Sequence, residues 1–419
     1  MLRSALYKAT YTIVFFLANL LLANLILPEH FGTISLMIVN ASVFYLLTNM
    51  GADSIIMHSV NSGKWNLVQA TSFTANLFGV QLVFFLLLEL GHINLWSSTL
   101  LVQQNNAFLF GEILYFTGLI LTEKFLLLHY AEHNAVVANR ILLLTAAFYI
   151  AVLAYARLVH VASFSLLFHL FCLQSFVQGC LLLIAFFWNG TVRRFAAIGL
   201  RTLFALFKSS AVVMVTNLLQ LLAYRIDFLL IKKFYSAYEV GIYAQVNKFA
   251  NLMWVIPNIF AFLLMPKFRK IDAGKIPLVF RYALFSGIAL LFATVIITVV
   301  FYNYFIVIAY RNGLPSFYLM LPGYFCWSIV IYFGAYFSWL GKFKYNLLVS
   351  SICFVSILLC DLLLIPKFSI NGAAIANTIA YSTTLVVCML LFSRVSGTSV
   401  IKIFHPQKDD LAFLFKLLK

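Results

Sequence analysis

Runs of predominantly apolar residues recur along the chain, separated by short polar, glycine- or proline-containing breaks. A helix rises 1.5 Å per residue, so about 20 such residues cross the ~30 Å hydrocarbon core of a bilayer. Twelve runs meet that length or approach it: 5–27, 33–57, 67–90, 107–129, 140–157, 163–187, 209–233, 239–265, 282–305, 317–340, 344–365 and 370–393. The pattern predicts an all-α integral membrane protein with about twelve transmembrane helices. The run 140–157 is the shortest of them.

A mixed basic and apolar stretch divides the series in two. Residues 188–208 read WNGTVRRFAAIGLRTLFALFK, with Arg194, Arg201 and Lys208 seven apart on one helical face and Phe195, Leu203, Phe204, Leu206 and Phe207 as apolar cover. That composition predicts an amphipathic helix lying on a membrane surface. The expected organisation is therefore a six-helix lobe over 1–190, a linker over 191–208, a second six-helix lobe over 209–393 and a basic tail over 394–419. A weak repeat at an offset of 209 agrees: PEHFGTIS at 28–35 and AYEVGIYA at 237–244 share the position of their Gly, with a Glu two or three residues before it. Six helices per lobe give both lobes one orientation, related by a pseudo-two-fold along the membrane normal.

Composition narrows the class. Hydrophobic residues make up 64% of the 419 and charged residues only 10%, against about 25% charged in soluble domains. The net charge of +16 therefore does not point to nucleic acid. It reflects loops: Arg3, Lys8, Lys64, Arg140, Arg193, Arg194, Lys267, Arg269 and Lys270 fall on one side of the predicted membrane. Arg157, Lys232, Lys233, Arg311 and Lys367 fall on the other. The asymmetry puts both termini in the cytoplasm. Pro28-Glu29-His30, after the first apolar run, is not a signal-peptide cleavage site. The six cysteines all sit in apolar runs without CxxC spacing, so they suggest neither a metal site nor disulfides. No phosphate loop, cofactor motif or catalytic nucleophile is present, and an enzyme is not expected.

Candidate chemistry lies where charge interrupts apolar sequence. Residues 224–248 read YRIDFLLIKKFYSAYEVGIYAQVNK and carry Arg225, Asp227 and Lys248. A charge at the centre of a membrane helix costs roughly 2.5–3.5 kcal/mol on the insertion scale, so one that is kept there has a partner or a water-filled path. Lys248 either pairs with a carboxylate such as Asp227 or presents a cation to an anionic substrate. Arg225 and Asp227, two apart, point to different sides of their helix. Asn217 and Gln220 add polarity suited to a sugar. Asp53 and Glu123 are further acids, Glu123 beside Lys124 at a helix end where solvation is expected. Tyr324, Trp327, Tyr332, Tyr336 and Trp339 form either a structural aromatic face or a stacking surface for sugar rings.

Four segments carry a family resemblance: LPEHFGTISL at 27–36, Gly51-Ala52-Asp53, YRIDFLLIKKF with YEVGIYAQVNKF at 224–249, and LLIPKFSINGAAIANTIAYS at 363–382. Together they resemble the Wzx-type polysaccharide flippases of the multidrug/oligosaccharidyl-lipid/polysaccharide exporter superfamily. The resemblance implies two lobes around a cationic chamber. It also implies ion-coupled transfer of an undecaprenyl-pyrophosphate-linked oligosaccharide, as in O-antigen lipopolysaccharide assembly, from the inner to the outer leaflet. By position, Arg225, Asp227 and Lys248 fall in the family's seventh- and eighth-helix motifs, and Arg225 and Lys248, with the polar Asn217 and Gln220, are the expected substrate-binding residues. Asp227, Asp53 and Glu123 become the ion-coupling ones. The implied partners are the lipid-linked oligosaccharide, membrane lipids, protons or sodium ions, and a glycan polymerase. Two alternatives remain at this point: a drug or small-cation exporter of the same superfamily, and a membrane polysaccharide polymerase.

Overall fold

The computed structural model describes residues 2–49, 51–61, 63–90, 106–160, 163–189, 200–264 and 276–397. The first half of the chain forms α1 (Leu2–Leu25), α2 (Pro28–Asn49), α3 (Ala52–Asn61), α4 (Leu67–Leu90), α5 (Asn106–Ala131), α6 (Ala135–Leu158) and α7 (Phe164–Asn189). The second forms α8 (Leu200–Phe234), α9 (Ala237–Ala250), α10 (Leu252–Leu264), α11 (Ile276–Tyr304), α12 (Leu314–Trp339) and α13 (Phe343–Ser396). Among the described residues nine helices are long and apolar enough to cross a membrane, and the protein is an all-α, multi-pass membrane protein. Every expected run is helical, and the short run 140–157 is part of a full 24-residue helix, α6.

Two of the expected runs are interrupted where apolar run length gives no sign of it, and two others join into one kinked helix. The run 33–57 starts earlier, at Pro28, and breaks at Gly51, whose φ of 74° is left-handed and open to glycine without a Cβ clash. Pro28 suits a first helical position, where its missing N–H leaves no bond unmade. The run 239–265 breaks at Asn251: the Asn251 side chain donates to Asn247 Oδ1 at 2.7 Å, and Trp254 N–H reaches Asn251 C=O at 3.0 Å. Pro257 then lies inside α10, where its ring weakens the turn before it. The runs 344–365 and 370–393 are the two limbs of α13, which kinks at Ser369 (φ 51°, ψ −133°) just after Pro366. The basic face expected at Arg194, Arg201 and Lys208, and the tail beyond Gly397, lie outside the described residues or side chains.

The chain divides into two compact units: Met1–Leu221 with Tyr235–Ala244, and Leu222–Phe234 with Gln245–Lys419. In the first, α3 to α7 enclose a core that includes Ile56, Phe73, Phe125, Leu142 and Phe186. The same unit brings the two repeated turns together. A Cβ on Gly32 would collide with the carbonyl of Ala237, and one on Gly241 with that of Pro28. The colliding pairs are related by the repeat offset, 28 to 237 and 32 to 241. The contact is thus reciprocal, and backbones that close need glycine on both sides.

Candidate functional site

In the second unit, α8 carries Arg225 and Asp227, and α9 carries Asn247 and Lys248. Arg225 and Lys248 are both half-buried and close enough for their charges to act on each other. The Arg225 guanidinium lies 5.4 Å from the Phe228 ring centre, and its buried Nε has no acceptor among the described residues. Asp227 is 1% exposed. Its Oδ1 accepts the Phe228 N–H at 2.8 Å and its Oδ2 accepts Asn377 Nδ2 at 3.3 Å. Asn217 is exposed and Gln220 half-buried. Both belong to the first unit, on the part of α8 that ends at Leu221.

Asp361, in α13, was not singled out from the sequence. It is 0% exposed, and neither carboxylate oxygen has a hydrogen-bond partner among the described residues. The charge of Asp227 reaches it. Its signal is the one that marks Arg225 and Lys248: an ionisable residue inside an apolar run, here ILLCDLLLI at 357–365.

The aromatic residues nearby pack on one another. Trp254 and Tyr324 stack at 4.4 Å and 9°. Trp327 and Tyr381 lie 5.0 Å apart, and Tyr224 meets Trp327 edge-on at 5.5 Å. The Tyr324 hydroxyl accepts Asn247 Nδ2 at 2.7 Å. Tyr324, Trp327, Tyr332 and Tyr336 are all buried, so this run is a structural face.

The first unit holds a second charged cluster, at the α2–α3 break. Lys124, expected to be solvated, is instead fully buried, with its ammonium 2.8 Å from Asp53 Oδ1. It also donates to Asn49 Oδ1 and lies 5.3 Å from the Tyr45 ring centre. Asp53 Oδ2 accepts the Tyr45 hydroxyl at 2.9 Å and Asn49 Nδ2 at 2.8 Å. The Asp53 side chain remains 32% exposed. Glu123 is exposed, with Asp53, Lys8 and Lys124 in electrostatic range. Neighbours in a helix point about 100° apart, which lets Glu123 face outward while Lys124 faces in. The sequence-predicted residues therefore divide between the units, Asp53, Glu123, Asn217 and Gln220 in the first and Arg225, Asp227 and Lys248 in the second.

These features define a multi-pass membrane protein with charge retained inside its helices and no extramembrane catalytic domain among the described residues. The chain belongs to the polysaccharide biosynthesis protein family, whose sequence model matches residues 21–311. No curated protein sequence matches it. Among solved structures it is similar to the lipid II flippase MurJ in an inward closed conformation, with a TM-score of 0.69 and 12% identity over 100% of this chain and 96% of that one. It is also similar to an inward-facing multidrug resistance MATE family transporter of the MOP superfamily, at TM-score 0.64 and 12% identity over 94% and 98% of the two chains. The Vibrio cholerae MATE transporter VcmN in its bent form matches at TM-score 0.57 and 13% identity over 94% and 99%. At such identities the likeness is one of fold, and the fold is that of the MOP superfamily.

Proposed function

We propose that this protein is a flippase. It moves an undecaprenyl-pyrophosphate-linked oligosaccharide from the inner to the outer leaflet of the cytoplasmic membrane by ion-coupled alternating access, without enzymatic chemistry. The observation that carries this reading is the pairing of Arg225 with Lys248, two half-buried cations close enough to repel each other. Like charges gathered in a low-dielectric setting are relieved by an anion. A diphosphate supplies two or more negative charges on one headgroup, and at about 4 Å each ion contact is worth ~4 kcal/mol at an effective dielectric of 20. The prenyl chain stays in lipid, and Asn217 and Gln220 offer hydrogen bonds to sugar hydroxyls.

Ion coupling falls to Asp227, with Asp53 and Glu123 as secondary groups. Both termini lie in the cytoplasm, and a glycan polymerase is the downstream partner. A small-cation exporter would need anionic groups where Arg225 and Lys248 stand. Replacing both cations with alanine tests the reading in cells: surface polysaccharide is lost while the protein stays in the membrane. Unchanged polysaccharide refutes the site.

A further inference from the structure

A second basic cluster lies in the first unit, where α1 and α6 begin. The Arg3 and Arg140 guanidinium carbons each lie 5.9 Å from the ring centre of one tyrosine, Tyr7. Two atoms that share that distance from one point are at most twice it apart. Both arginines also interact with the Tyr7 hydroxyl. Lys8 lies 5.6 Å from the Tyr130 ring centre. Arg3, Lys8 and Arg140 are all exposed.

A buried frame sets this arrangement. Asn139, 1% exposed, donates to Ser4 Oγ at 2.8 Å and to the Ser4 carbonyl at 3.1 Å. It accepts the Tyr130 hydroxyl at 2.9 Å. Ser4 and Asn139 immediately follow and precede Arg3 and Arg140. The hydrogen bond between the first pair therefore brings the second pair side by side, and Tyr130 carries Lys8 into the same neighbourhood. Gathering like charges costs energy unless an anion answers them. Among the described residues neither arginine forms an ion pair, and the carboxylate in range of Lys8 is the exposed Glu123.

We propose that Arg3, Arg140 and Lys8, organised on Tyr7 and Tyr130, form a loading site for the diphosphate headgroup of an isoprenoid lipid at the membrane surface, before it reaches Arg225 and Lys248. The proposal rests on the flippase reading and on its placement of the N-terminus in the cytoplasm. The position suits a lipid headgroup, because the candidate spans Leu6–Leu25 and Ala135–Leu158 begin here. The charge count favours a diphosphate over an ordinary phospholipid: three cations face two or more negative charges rather than one. Planar guanidiniums give forked hydrogen bonds to phosphate oxygens, which a lysine in the same place does not.

The test uses the full-length protein in phosphatidylcholine nanodiscs, with farnesyl diphosphate as one probe and phosphatidylglycerol as the other. Arg3→Ala with Arg140→Ala is expected to weaken farnesyl diphosphate binding by about tenfold or more and to leave phosphatidylglycerol association unchanged. Arg3→Lys with Arg140→Lys restores only part of the affinity. Tyr7→Phe, which keeps the ring and removes the hydroxyl, gives a smaller loss with the fold intact. Unchanged farnesyl diphosphate binding in the Arg3/Arg140 alanine variant overturns the loading site and leaves the flippase reading standing. An equal loss of phosphatidylglycerol overturns it too, since the patch is then a general anchor for anionic lipid. If the unaltered protein binds no farnesyl diphosphate, both the flippase reading and the loading site fail. If the Arg225→Ala, Lys248→Ala variant retains a component of binding that Arg3→Ala with Arg140→Ala removes, the two sites are separate, as proposed.

Discussion

Lys124 and Asp361 are both buried and ionisable, and they answer that situation in opposite ways. Lys124 is surrounded by Asp53, Asn49 and the Tyr45 ring. Removing one partner of a buried pair leaves the other charge without compensation, at a cost of about 3–5 kcal/mol, and the one-third exposure of Asp53 places this case at the low end. Lys124→Met should therefore lower the thermal unfolding temperature in detergent clearly, and adding Asp53→Asn should recover part of the loss. Asp361 has no hydrogen bond to lose among the described residues. Asp361→Asn should keep stability or raise it by about 1–2 kcal/mol, a result read in the same unfolding assay. A large destabilisation would mean that Asp361 has a partner. Much of the charge pattern was legible in the sequence. Arg225, Asp227 and Lys248 stand out because a charge in an apolar run is expensive, and Asp361 carries the same mark. Lys124 was not legible, because two adjacent charges do not reveal which of them faces the core.

Helix-forming runs were legible from hydropathy at every position, because the bilayer sets a minimum length that the sequence must meet. The kink at Ser369 falls in the gap that hydropathy left at 366–369, but the break at Asn251 and the turn at Gly51 were not legible. They depend on φ/ψ choices and side-chain hydrogen bonds that leave run length unchanged. The repeated turns at Gly32 and Gly241 were legible as a pattern, and the structure adds that they meet. A methyl group at Gly32 has no room, since its neighbours are backbone atoms of α9 that cannot move alone. At Gly79, within α4, no such neighbour lies within 4 Å. Gly32→Ala should thus reduce folded yield and unfolding temperature, whereas Gly79→Ala should be neutral or stabilise by up to about 1 kcal/mol through helix propensity. Equal effects of the two substitutions would show that the α2–α9 contact is not close-packed.

Each unit of the molecule carries its own charged cluster, and they differ in character. In the first unit the Asp53–Lys124 pair is closed on itself by hydrogen bonds. In the second, Arg225 and Lys248 repel each other and Arg225 keeps an unused buried donor. The flippase account assigns the substrate headgroup to the second cluster on that difference. Reconstitution into vesicles measures this most directly, with a fluorescent prenyl-diphosphate oligosaccharide and a membrane-impermeant quencher reporting leaflet exchange. The account predicts fast exchange with the unaltered protein, and exchange at the protein-free rate once Arg225→Ala and Lys248→Ala are combined. Exchange that is undiminished in the double variant, or no faster with the unaltered protein than without it, would contradict the account.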